Sequence, residues 1–193
     1  MWHHDGAMLR SLSVDRRDIV TDCMIELLAE GGFPAVTLRA LAHRIGVTPS
    51  GVLWWFGSID LMWEAIAARY GWRWIAFLRD PGRFHRRSPL RPASCTHAVH
   101  GLLPGTDDEV VWTRVWLALV EVGRHAQRVG SVIDMIEVEE RALVARLLGQ
   151  ESDPLTIEMV TALVRGLRHA ICAPESPMPV RTAHAVLARQ LRA

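Results

Sequence analysis

The sequence predicts an all-α protein: an N-terminal three-helix helix-turn-helix module joined by a long helix to a C-terminal helical bundle. Three observations carry this prediction. Apolar residues recur at i, i+3, i+4 and i+7 through most of the 193 residues, the period of amphipathic helices. Strand-type alternation is nearly absent. The stretch Thr37–Phe56, TLRALAHRIGVTPSGVLWWF, reads as a short helix, a tight turn at Gly46 and a second helix opening at Thr48.

The elements follow in order. A first helix is expected over Asp15–Glu30, capped by Ser13 or Asp15, with Val20, Cys23, Met24, Leu27 and Leu28 on its inner face. Gly31-Gly32 supplies the left-handed backbone on which helices end. Thr37 caps a second helix whose Leu38, Leu41, Ala42 and Ile45 point inward, and Val47 plugs the angle after the Gly46 turn. Thr48 caps the third helix, with Pro49 at the first helical position, where its missing N–H costs nothing. Ser58 caps a longer fourth helix that Pro81-Gly82 stops. Further helices are expected at about Ala93–Leu103, Asp107–Arg128, Ser131–Leu148, Pro154–Ala173 and Val180–Leu191. The domain boundary falls between residues 57 and 58, giving a module of 1–57 and a helical domain of 58–193.

Half the residues are hydrophobic and 22% are charged, an ordinary balance for a globular protein. No apolar run reaches the ~18 residues a membrane span needs, and the N-terminus carries no apolar signal core, so a cytoplasmic chain without membrane contact is expected. Cys23, Cys95 and Cys172 are odd in number and far apart, which argues against a structural disulfide. All 22 basic residues are arginine. Residues 1–57 hold five arginines against six carboxylates, so the module is net acidic. Nucleic-acid readers normally carry the opposite excess, because phosphate neutralisation supplies most non-specific affinity. The basic cluster DPGRFHRRSPLRP at 80–92 reads as a solvated loop, with a phosphate or partner contact as the alternative.

Three segments resemble the TetR family of bacterial transcriptional regulators. LLAEGGFPAVTLRALAHRIGV is similar to the end of the family's first helix and its second, TPSGVLWWFGSIDLMWEAI to its recognition helix and exit, and VTALVRGLRHAICAPESPMPVRTAHAVL to its final dimerising helix pair. The resemblance implies a homodimer that binds a pseudo-palindromic operator in double-stranded DNA and is released by a small hydrophobic or aromatic effector, most often as a repressor. It requires no cofactor, no metal and no catalysis. The positions implied for DNA contact are Arg39, Thr48, Pro49, Ser50, Gly51, Leu53, Trp54 and Trp55, with Val52 and Phe56 in the core. Three positions depart from the family pattern: Leu53 stands for its tyrosine, Trp55 for its histidine and Ile59 for its lysine. A second reading therefore keeps the fold without operator binding, as a small-molecule-binding, accessory or enzymatic protein of specialised metabolism.

In the C-terminal part, Trp63, Trp72, Trp74, Trp112 and Trp116 are the candidate pocket wall, Trp112 and Trp116 sharing a helix face. Polar ligand-binding candidates are His97, His100, Glu121 and His125, together with Arg114 and His169. Cys95, His97 and His100 do not form a metal site on one helix, since positions 95 and 97 lie roughly 200° apart. Glu137, Glu139, Glu140 and Arg141 read as a solvated helix face. Met159, Leu163, Gly166, Leu167 and Ala170, with Val186 and Leu187 on the last helix, form the expected dimer interface.

Overall fold

A computed structural model describes residues 5–80, 99, 101–149 and 152–191. Among these there are eight α-helices, one short 3-10 turn and no strand. They are α1 (Asp5–Gly31), the turn Phe33–Ala35, α2 (Leu38–Ile45), α3 (Pro49–Phe56), α4 (Ile59–Arg79), α5 (Asp107–Gly123), α6 (Gln127–Leu148), α7 (Pro154–Cys172) and α8 (Val180–Gln190). None of them is long and apolar enough to cross a membrane. Of the expected helix over 93–103 only residues 99 and 101–103 are described, and 101–103 form a turn and bend, so the helix does not run to Leu103. The basic cluster beyond residue 80 lies outside the described residues.

The chain divides into two compact units, residues 1–70 with 118–133 and residues 71–117 with 134–193. The helix-turn-helix segment lies wholly in the first. There α1 buries Val20, Cys23, Met24, Leu27 and Leu28 against α2 and α3, the face the spacing predicts. Burial holds the Cys23 thiol protonated by raising its pKa, as suits a small core residue. α1 begins at Asp5, ten residues before the expected start, because nothing between Gly6 and Gly31 breaks a helix. Ser13 therefore sits inside the helix and not at its cap.

A second correction concerns the α5–α6 connection. The break is at Arg124–Ala126, where His125 and Ala126 N–H both donate to the Val122 carbonyl at 3.0 Å, and Gly130 lies within α6. Gly130 serves close packing: a Cβ there would stand 2.8 Å from the Gly123 carbonyl oxygen. The helices meet backbone to backbone, an approach only glycine permits.

In the second unit α7 and α8 pack together, and Asp153 caps α7 by accepting the Thr156 N–H at 3.0 Å. Those hydrogen bonds hold the Asp153 carboxyl below its ordinary pKa. α7 buries Val160, Val164, Leu167 and Ile171, and α8 buries Ala183 and Leu187.

The glycines separate in their tolerance. Gly130→Ala forces a Cβ onto a carbonyl and is expected to destabilise the chain by about 1–3 kcal/mol in urea unfolding. Gly166→Ala adds a Cβ into open space within a helix and is expected to be neutral or stabilising by up to about 1 kcal/mol. Equal effects would contradict the packing described for Gly130.

Candidate nucleic-acid interface and effector site

Each turn of the helix-turn-helix is closed by a named hydrogen bond. Thr37 Oγ1 accepts from Ala40 N–H at 3.1 Å and starts α2. Gly46, at φ 77° and ψ 34°, ends it in the left-handed region, and the Gly46 and Val47 N–H groups both donate to the Ala42 carbonyl at 2.9 Å. Thr48 Oγ1 accepts from Gly51 N–H at 3.1 Å and starts α3, with Pro49 in its first turn. Ser58 repeats the device for α4, its Oγ accepting from Leu61 N–H at 3.1 Å.

With the ends fixed, the two faces of α3 are determined. Val52 and Phe56 are buried, so the opposite face must point outward. Trp54 is 79% exposed there, while Leu53, Trp55 and Gly51 are half-buried and Pro49 and Ser50 are exposed. Ser50 Oγ lies 3.2 Å from Thr48 Oγ1. Arg39 is exposed on α2 and lines an open groove of about 460 Å³ with Leu27, Thr37, Ala40, His43 and Arg44. Ile59 and Leu61 extend the apolar surface onto the start of α4.

Two arginines that the sequence did not single out hold α3 to α1. Arg17 Nε donates to the Trp55 carbonyl at 2.6 Å and its guanidinium lies 5.5 Å from the Phe56 ring centroid. A cation at a helix C-terminus also meets the negative end of the helix dipole. Arg16 lies 5.6 Å from the Trp55 ring centroid. Arg44 pairs with Glu30 at 2.9 Å, and Arg69 of α4 pairs with Asp18 and Asp22 of α1. The module's acids are thus partly matched, Glu30 from within the module and Asp18 and Asp22 from α4. Arg16-Arg17 carries no spacing signature, so only the packed helices reveal its role.

The aromatic wall in the second unit is smaller than expected. Trp74 and Trp116 stack with ring centroids 5.8 Å apart and planes 11° apart, and Phe77 stacks on Trp112 at 5.7 Å. Trp74 and Phe77 also touch, at 5.6 Å. Trp63 belongs to the first unit, where it stacks on Phe33 at 5.5 Å, and Trp72 is exposed. Glu121 and His125 also fall in the first unit, exposed on the surface, with Glu121 paired to Arg124 at 3.0 Å. Arg114 and His169 are exposed, and His97 and His100 lie outside the described residues. Cys172 is a partly buried thiol whose pKa burial raises despite nearby Arg114.

The reading of Glu137, Glu139, Glu140 and Arg141 as a solvated face holds for the exposed Arg141 and fails at Glu140. Glu140 is 2% exposed and pairs with Arg168, which is 1% exposed. Arg168 Nε and Nη2 both donate to the Leu102 carbonyl, at 3.0 and 2.7 Å, and its guanidinium lies 4.8 Å from the Trp74 ring centroid. Arg165 bridges Glu137 and Glu140 at 3.1 and 3.4 Å. Glu139 pairs with Arg79, and Arg141 with Glu158. The partners sit on other elements, so a run of acids on one helix could not disclose them. Of the interface residues, Met159, Gly166 and Val186 are exposed, and Leu163 and Ala170 are half-buried. Leu167 and Leu187 are 5% and 0% exposed, inside the core of their own protomer.

Removing one member of a buried pair strands the other charge. Arg168→Met is therefore expected to cost about 3–5 kcal/mol in urea unfolding, and Arg168→Met with Glu140→Leu distinctly less than the two changes summed. Additive losses would show that the pair is not coupled.

The family model for bacterial regulatory proteins of the tetR family matches residues 24–66, the end of α1 through the first half of α4. None of the curated proteins compared matches the chain. Among solved structures, a transcriptional regulator from Rhodococcus sp. Rha1 superposes with a TM-score of 0.73 at 17% identity, over 91% of this chain and 94% of that one. A proposed transcriptional regulator from Saccharomonospora viridis, solved in complex with choline, gives 0.70 at 16% identity, over 93% and 96%. The multidrug binding protein EbrR, complexed with imidazole, gives 0.64 at 18% identity, over 90% and 93%. Residues 24–66 are thus similar to the N-terminal segment of bacterial regulatory proteins of the tetR family, and the fold is the one these solved proteins share.

Proposed function

We propose that the chain is a ligand-responsive transcriptional regulator, a repressor that binds a pseudo-palindromic operator as a homodimer in the cytoplasm and leaves it when a small hydrophobic or aromatic effector binds. Residues 1–57 are the DNA-reading module, and residues 58–193 take the effector and the second protomer. The observation that carries this reading is the outward face of α3, capped at Thr48 and presenting Ser50, Leu53 and the exposed Trp54 beside Arg39.

The chemistry of contact follows from these groups. The α3 N-terminus and the Thr48 hydroxyl suit a phosphate, with the helix dipole favouring the anion. Arg39 suits bidentate recognition of a guanine edge, worth about 1–3 kcal/mol of discrimination. Leu53 and Trp54 suit thymine methyls and sugar edges. A dimer must set its two α3 helices one DNA turn apart, about 34–36 Å, so a small pivot is enough to release DNA.

The dimer surface is supported by the outward stripe of α7, Leu155, Met159, Ala162 and Gly166, with Val186 on α8. Gly166 has open space around its Cα within the protomer, room that a second helix could fill closely. Leu167 and Leu187 support this surface from beneath. The effector reading is supported by the Trp74–Trp116 and Phe77–Trp112 stacks and by relatives of this fold solved with choline and with imidazole.

In a mobility-shift assay with the DNA flanking its own gene, the chain is expected to retard a pseudo-palindromic fragment, and Arg39→Ala to weaken it mainly at one base position per half-site. Absence of any shift at low salt would favour the accessory or enzymatic reading. Sedimentation of Gly166→Glu is expected to give monomers, and a dimer of unchanged mass would refute the stripe.

A further inference from the structure

The Trp74 cluster differs from an ordinary aromatic core in its hydrogen-bond inventory. Trp74 is 1% exposed, and its indole Nε1–H has no hydrogen-bond partner among the described residues. A buried N–H donor is rarely left unmade, because its lost hydration is not returned. The neighbouring guanidinium groups have acceptors of their own. Leu102 O takes two bonds from Arg168, Glu140 Oε1 takes Arg168 Nη1, and Glu140 Oε2 and Glu137 Oε2 take Arg165. Arg165 Nη2 is a second buried N–H group without a partner.

Charge points the same way. Trp74 already has a cation against its ring, since the Arg168 guanidinium lies 4.8 Å from the centroid. A cationic ligand seeking that ring would meet a buried arginine, whereas a carboxylate or carbonyl would meet the unpartnered indole N–H. The rings of Trp116, Phe77 and Trp112 continue from Trp74 as an aromatic stack, buried at Trp116 and half-buried at Trp112.

We propose that the effector of this regulator is a planar aromatic molecule bearing a hydrogen-bond acceptor, a carboxylate or carbonyl, which takes the Trp74 Nε1–H while its ring packs on the Trp116, Phe77 and Trp112 stack. The proposal rests on the effector-binding reading above and assigns the chemistry of that site. Trp74 selects the acceptor, and Arg168 excludes aromatic cations.

The test uses two probes of one ring system and opposite charge, 2-naphthoate and 2-naphthylmethylammonium, titrated into the full chain by calorimetry. The tryptophan indole N–H resonances are followed by NMR in parallel. 2-Naphthoate is expected to bind at least about tenfold tighter than the ammonium, the worth of one good hydrogen bond to a charged group. It is also expected to move the Trp74 Nε1–H resonance downfield. Trp74→Phe keeps a ring and removes the donor, and should lose most of the naphthoate preference. If that variant does not fold, the resonance shift in the unaltered chain decides. Equal or tighter binding of the ammonium, a Trp74 resonance that naphthoate leaves unmoved, or no binding of either probe overturns the proposal. A mobility-shift assay on the same preparation separates the two readings. Operator binding with any of those three results overturns the acceptor chemistry alone, and loss of operator binding overturns the regulator reading.

Discussion

What the N-terminal unit presents outward depends on one constraint, the left-handed turn at Gly46. Its φ of 77° is open to glycine at little cost and strained for other residues. That turn sends the chain from α2 into Val47 and the Thr48 cap, and it fixes the axis of α3. Val52 and Phe56 then lock the rotation of α3 by burying one side of it. Trp54 becomes the most exposed tryptophan among the described residues as a consequence of this geometry. Arg17 completes the arrangement by holding the C-terminal carbonyl of Trp55 to α1.

The second unit is organised around a different constraint, the desolvated charge of Arg168. A buried guanidinium needs a carboxylate and its remaining N–H groups filled, and Glu140 and the Leu102 carbonyl supply both. That requirement draws α6, α7 and the segment at Leu102 to one point, with the Trp74 ring packed against the same guanidinium. The unit thus sets a buried, paired guanidinium beside the ring of a tryptophan whose indole N–H has no partner among the described residues. Cores built only for stability seldom keep such a donor.

The parts legible in the sequence were those set by local rules. The caps at Thr37, Thr48 and Ser58, the Gly46 turn and the inner face of α1 follow from residue type and helical spacing, and the structure has each of them. Contacts between elements were not legible. Glu140 looked solvated because its partner is 28 residues away, and Arg168, between Arg165 and His169, gave no sign of burial. Gly130 resembled a helix break because glycine's two uses, freedom of φ and absence of Cβ, look alike in a sequence. Leu167 and Leu187 carry the period of an interface, yet periodicity does not distinguish the protomer's own core from a partner's.

The central claim is that α3 reads DNA through an apolar face with few phosphate contacts. Leu53 and Ile59 cannot pair with phosphate, Arg44 is engaged by Glu30, and Arg17 by the Trp55 carbonyl. Counterion release converts the number of phosphate contacts directly into the salt dependence of affinity, with log Kd changing by about 0.9 per contact for each tenfold change in salt. The most direct measurement is fluorescence anisotropy of a labelled operator across a range of salt concentrations. The account predicts sequence-specific binding with a shallow slope, about half that of a lysine-rich relative measured in the same buffers. A slope as steep as the relative's would contradict it, as would binding indifferent to operator sequence.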